Sequence, residues 1–123
     1  MQLQQILLLV IAVPMLAVAP LAIAPAALWR AAGMPLALEG IARVLMRHWA
    51  AAVGALGALV LVAALTASSG PLLQTLLAVV AAEKIVIVLL MARHREVDAG
   101  TRRLIFVIDG SGALLALWLM TRG

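Results

Sequence analysis

The chain has 123 residues, 67% of them hydrophobic and only 11% charged, with a net charge of +4. Ordinary soluble domains are roughly half apolar and a quarter charged, so this composition excludes a soluble globular domain. No cysteine is present, which excludes disulfides, thiolate metal sites and thiol catalysis.

Mean hydropathy is +1.21, and four long apolar runs are separated by short polar stretches. Together they imply an all-α fold, an integral membrane four-helix bundle forming a single domain over 1–123. The sequence pI near 11.5 raises the question of nucleic acid. The basic residues other than Lys84, however, fall at the ends of apolar runs and no soluble basic domain carries them, so nucleic acid is not an expected partner.

The first run, about 6–28, contains Pro14, Pro20 and Pro25. Its "AVAP" and "AIAPAA" stretches resemble a signal-peptide cleavage region, yet no basic residue precedes them, so the run is expected to remain as a first span. Proline removes a backbone donor and clashes with the carbonyl four residues back. A span kinked or locally opened is therefore predicted. Gly33 and Pro35 mark a turn, and about 36–48 is amphipathic. At about 100° per residue, Leu38, Ile41, Ala42, Val44 and Leu45 share a face. Glu39, Arg43 and Arg47 lie opposite, with Glu39 placed to pair with Arg43. The pattern predicts a short amphipathic interfacial helix between spans one and two, its polar face toward lipid headgroups, with the option of running straight into the second span.

The second span, about 49–67, carries a small-residue ladder of Ala50, Gly54 and Ala58 with Gly57 beside it. Such a ladder lets a neighbouring helix approach closely. "SSGP" makes an uncharged turn, and the third span runs over about 72–92. The stretch "RHREVDAGTRR" caps the hairpin, and a fourth span follows at about 104–120. Arg30, Arg43, Arg47, Arg93, Arg95, Arg102 and Arg103 fall in the first and third loops, against Arg122 alone on the other side. The positive-inside rule then expects both basic loops in the cytoplasm and both termini on the non-cytoplasmic side of a bacterial inner membrane. Trp29, Trp49 and Trp118 fall near span ends, where interfacial anchors belong. Arg43, Arg47, Arg93, Arg95, Arg102 and Arg103 are the candidate headgroup contacts.

Charges inside the spans are the best lead to function. Glu83 and Lys84 lie near the middle of the third span and Asp109 lies in the fourth. Counting rise per residue puts Lys84 about 3 Å and Asp109 about 4.5 Å to the same side of their span centres. A Lys84–Asp109 salt bridge is predicted, since a lone charge at mid-membrane costs about 2.5–3.5 kcal/mol. That leaves Glu83 without an obvious mate. Three outcomes stay open: Glu83 is protonated, reaches a water-filled cleft, or meets a group from another protein.

"DGSG", Asp109 to Gly112, sits in an apolar helix with no preceding strand, so a phosphate loop is not expected. Gly110, Ser111 and Gly112 are read instead as a thin helix surface past which Lys84 reaches Asp109. His48 and His94 fall near span ends as interfacial residues. Haem or chlorin ligation by either is a secondary option, and no cofactor is otherwise expected. No nucleophile–base pair, HExxH or metal-spaced carboxylate set occurs, so catalysis is not the expected role.

The arrangement resembles small bacterial four-helix membrane proteins of the DoxX-like families. The likeness lies in chain length, four spans, a proline-containing first span ending near Pro25 to Trp29, and arginines leading into a small-residue second span. The resemblance implies a group some of whose members are partners of membrane oxidoreductases. Small multidrug transporters are similar in size, but they place an essential glutamate in the first helix, and this first span has no charge. The expected role is a non-catalytic accessory or assembly subunit among lipid and other membrane subunits. The alternative is a small homo-oligomeric, proton-coupled transporter or channel using Glu83 and Asp109.

Overall fold

A computed structural model describes residues 1–33 and 40–122. Every regular element among them is helical: α1 (Leu3–Val18), a 3-10 turn (Ala19–Ala22), α2 (Ala26–Ala31), α3 (Gly40–Leu65), α4 (Pro71–Arg93) and α5 (Ala99–Arg122). Four segments are long and apolar enough to cross a membrane: Leu3–Ala22, Gly40–Leu65, Pro71–Arg93 and Ala99–Arg122.

The prolines divide the first apolar run. Pro14 is accommodated inside α1, Pro20 sits in the 3-10 turn, and Pro25 caps α2. The expected first span over 6–28 is thus one helix that tightens at Ala19 and stops before a separate short helix. The break in the helix at this point follows from the two backbone donors that Pro20 and Pro25 lack.

The expected interfacial helix is not a separate element where the structure describes it. Residues 40–48 are the opening turns of α3, and the remainder, including the Glu39 of the expected Glu39–Arg43 pair, lies outside the described residues. From Ile41 to Trp49 the chain has no proline and no glycine to break a helix. At 26 residues, α3 is about 39 Å long, more than a hydrocarbon core of about 30 Å. Its basic first turns extend past the apolar length.

Helix α1 packs along α3, α4 packs along α5, and α1 touches α5 to join the pairs. Contact between α3 and α4 is slight. The bundle is therefore a ring in the order α3, α1, α5, α4, left open between its last and first members. Leu8, Ile11 and Met15 of α1 meet Val53 and Val60 of α3, Leu77 and Val80 of α4, and Ala116 of α5 in the main core. A smaller cluster of Ala24, Trp29 and Ala50 fills the space under the 3-10 turn. Between 17% and 39% of each span's apolar window is buried inside the bundle, so most of the apolar surface faces outward.

The seam between α1 and α3 depends on glycine. A Cβ on Gly54 would stand 2.5 Å from the Ala19 Cβ, and one on Gly57 would stand 2.8 Å from the Met15 Cβ. Ala50 is buried on the same face, whereas Ala58 is exposed. A seven-residue step turns only about 20° from a helix face, while an eight-residue step turns about 80°. The ladder is accordingly Ala50, Gly54 and Gly57, with Ala58 off the seam.

The two ends differ. At one, Gln5 Nε2 donates to the Ala64 carbonyl at 2.9 Å and Gln4 Nε2 to the Ser68 carbonyl at 3.4 Å, tying the N-terminus to the "SSGP" turn. At the other, the Thr101 hydroxyl lies 3.2 Å from the Gly33 carbonyl and joins the two arginine-bearing loops. The second end holds the basic residues; the first has Arg122 stacked on the Trp118 ring at 4.7 Å.

Candidate functional site: an ion pair and a neighbouring carboxylate

Lys84 projects from α4 toward α5 and is only 3% exposed. Its Nζ donates to Asp109 Oδ1 at 2.9 Å, and the Asp109 side chain is 21% exposed. The lysine stem reaches that carboxylate by lying over Gly112, where a Cβ would stand 2.9 Å from both Cδ and Cε. Of the three small residues expected to thin α5, Gly112 makes this room. Gly110 faces open space, and the Ser111 hydroxyl donates back to carbonyls of its own helix, Val107 and Ile108.

Glu83 is the preceding residue and points about 100° away around the helix. Its Oε2 is buried and has no hydrogen-bond partner among the described residues. The Trp49 indole lies beside the carboxylate. Counting Lys84 and Asp109 as a neutral pair, an ionised Glu83 gives the cluster one net negative charge. A site of that kind can hold a cation or accept hydrogen bonds.

Three adjoining cavities surround the cluster, and Trp49 borders all of them. The central one, about 240 Å³, is walled by Pro14, Val53, Glu83, Lys84 and Asp109 from all four long helices. Toward the basic end, a cavity of about 390 Å³ lies among Trp29, Met46, Met91 and Ile105 and reaches Asp109. The third, about 430 Å³, is the gap between α3 and α4, with Glu83 in its wall. The sequence marks Trp49 as an interfacial anchor; its place at the junction depends on the α3–α4 gap, which no local pattern reveals.

The arginines divide into inward and outward groups. Arg47 donates to the Ala22 carbonyl at 2.9 Å and lies 3.5 Å from that of Leu21, which also accepts from Trp29 Nε1 at 2.9 Å. Leu21 needs these donors because the residue four ahead, Pro25, has no N–H. Arg47, expected at the headgroups, is thus turned into the fold. Arg43 is partly buried, and Arg102 is partly buried with no partner for its Nε among the described residues. Arg93, Arg95 and Arg103 are exposed.

The two histidines do not line the cavities around the cluster. His48 is exposed on α3, and His94 Nδ1 lies 2.6 Å from Glu96 Oε1 just beyond α4. Glu96 is held below the usual carboxylate range, first by a backbone hydrogen bond and then by His94. Asp98 accepts the Thr101 N–H at 3.0 Å, which caps the start of α5 and holds its carboxyl below the ordinary value. Among the described residues, no group of three or more His, Asp or Glu side chains could hold a metal ion.

No protein-family model, curated protein or solved structure matches the chain.

Proposed function

We propose that this chain is a multi-pass protein of the bacterial inner membrane that serves as a non-catalytic accessory or assembly subunit of a larger membrane complex. The supporting observation is Glu83, a carboxylate in the wall of the α3–α4 gap with one buried oxygen, Oε2, that has no hydrogen-bond partner among the described residues. A lone charge at mid-membrane is expensive and is normally paired or put to functional use. A subunit that completes its pairing in a complex accounts for that cost. The DoxX-like resemblance is in keeping with that role, since some members of that group are partners of membrane oxidoreductases. With seven arginines at one end and one at the other, the basic end faces the cytoplasm and both termini face away from it.

Mild-detergent purification tests this reading. A larger subunit should copurify in fixed stoichiometry and be lost from a Glu83→Gln variant that folds normally. Purification of the wild-type chain alone, in an unchanged oligomeric state, would count against it.

The second reading is a proton-coupled transporter, favoured by the three adjoining cavities beside Glu83 and Asp109. It predicts a homo-oligomer whose flux in liposomes dissipates with the proton gradient. Pairing of Asp109 with Lys84 weighs against it, because a relay group must be free to exchange its proton.

A further inference from the structure

The accessory reading leaves the partner unspecified, and the outward face of α4 narrows it. Val79, Glu83, Val86 and Leu90 follow one another at spacings of four, three and four residues. This is the stripe along which helices pack with a shallow left-handed crossing. The three apolar members are 46%, 54% and 44% exposed, and α3, the neighbour on that side, scarcely touches α4. Ala82 lies beside Glu83 in the same gap, and a small residue there allows a close backbone approach. The stripe has the composition of a helix-packing seam, and among the described residues no helix packs along it.

One polar member in an otherwise apolar seam fixes the register and choice of partner. Glu83 is partly exposed and lines the gap, so its side chain borders the opening between α3 and α4. Lys84, its chain neighbour, gives its hydrogen bond to Asp109 instead. A second copy of this chain is a poor occupant. Two-fold pairing of the same seam sets Glu83 against Glu83 at one depth, and like charges in a low-dielectric medium repel.

Resting on the accessory-subunit reading, we infer that the α4 seam receives a transmembrane helix of a different protein, one that carries a lysine or arginine facing Glu83. Depth sets where that residue lies. Glu83 is ten residues from Arg93 at the basic end of α4, about 15 Å along the axis. The partner's basic residue stands about ten helical residues from the end of its span on the same side.

The test places the full chain, donor-labelled, in phosphatidylcholine liposomes with acceptor-labelled Leu/Ala helices spanning the bilayer. The probes carry lysine at the matching depth, lysine moved one heptad away, or leucine throughout. The matched-lysine helix should associate at least tenfold more tightly than either other probe, a ratio equal to about 1.4 kcal/mol. Glu83→Gln should remove that preference, with helicity by circular dichroism unchanged. Val86→Trp, which blocks the seam and leaves the charge in place, should weaken all probes alike. Equal binding of lysine and leucine helices would overturn the inference while leaving the accessory role standing on copurification. Energy transfer between two labelled copies of the chain, with none to any probe, would overturn it as well.

Discussion

Along one face α3 lies so close to α1 that glycine is required at Gly54 and Gly57, while across from Trp49 it scarcely meets α4. One helix thus has a sealed side and an open side, and the charges follow the same division. Lys84 and Asp109 satisfy each other inside the ring, whereas Glu83 stands at the opening with an unpartnered oxygen. Packing that is complete explains the fold. Packing left incomplete, at a position carrying a charge, points to what the fold is for.

The comparison breaks most visibly at the ion pair. Asp109→Ala strands Lys84, and destabilisation of about 2.5–3.5 kcal/mol is expected from the cost of a lone charge at mid-span. The measurement is reversible unfolding in mixed micelles, and adding Lys84→Met should restore most of the loss. A smaller effect is expected on the sealed side. Gly57→Val forces a side chain against Met15 and should cost about 1–3 kcal/mol. Ala58→Val, one residue on and exposed, should stay within about 0.5 kcal/mol in the same assay.

Arg47→Met sharpens the contrast at the basic end. It removes the donor to the Ala22 carbonyl, and a loss on the order of 1 kcal/mol is expected. Proteolysis near Ala22 should rise with it, since the 3-10 turn loses its tether to α3. The smallest effect concerns Asp98, whose carboxyl is held below its ordinary value of 3.8, chiefly by the Thr101 N–H. A lowered folded value means the cap contributes fully above 3.8 and is lost as the pH falls below it, toward the folded value. Backbone chemical shifts of Gly100 and Thr101 should therefore titrate in that acid range, and Asp98→Asn should abolish the titration.

Much of this architecture is legible in the sequence because hydropathy alone marks helices long enough to span a membrane. The Lys84–Asp109 meeting follows from depth, since antiparallel neighbours bring residues at equal depth side by side. What escapes local pattern is which faces meet. Ala58 joins the small-residue ladder by spacing yet faces outward, because the seam follows the seven-residue step to Gly57. Arg47 belongs to a polar helix face by periodicity, but the donor missing at Pro25 draws it inward to the chain's own carbonyls. The α3–α4 gap is a property of the whole ring, so neither it nor the position of Trp49 could be read from any one helix.

The central claim is that two adjacent charges serve different ends, one holding the fold and the other meeting a partner. Glu83→Gln and Asp109→Asn, each measured for unfolding stability and for association with the matched-lysine helix in liposomes, test it most directly. The account predicts that Asp109→Asn lowers stability and that Glu83→Gln leaves stability intact while association falls at least tenfold, or by about 1.4 kcal/mol. If Glu83→Gln instead unfolds the protein as Asp109→Asn does, with association unchanged in the fraction that remains folded, Glu83 belongs to the fold and the account is contradicted.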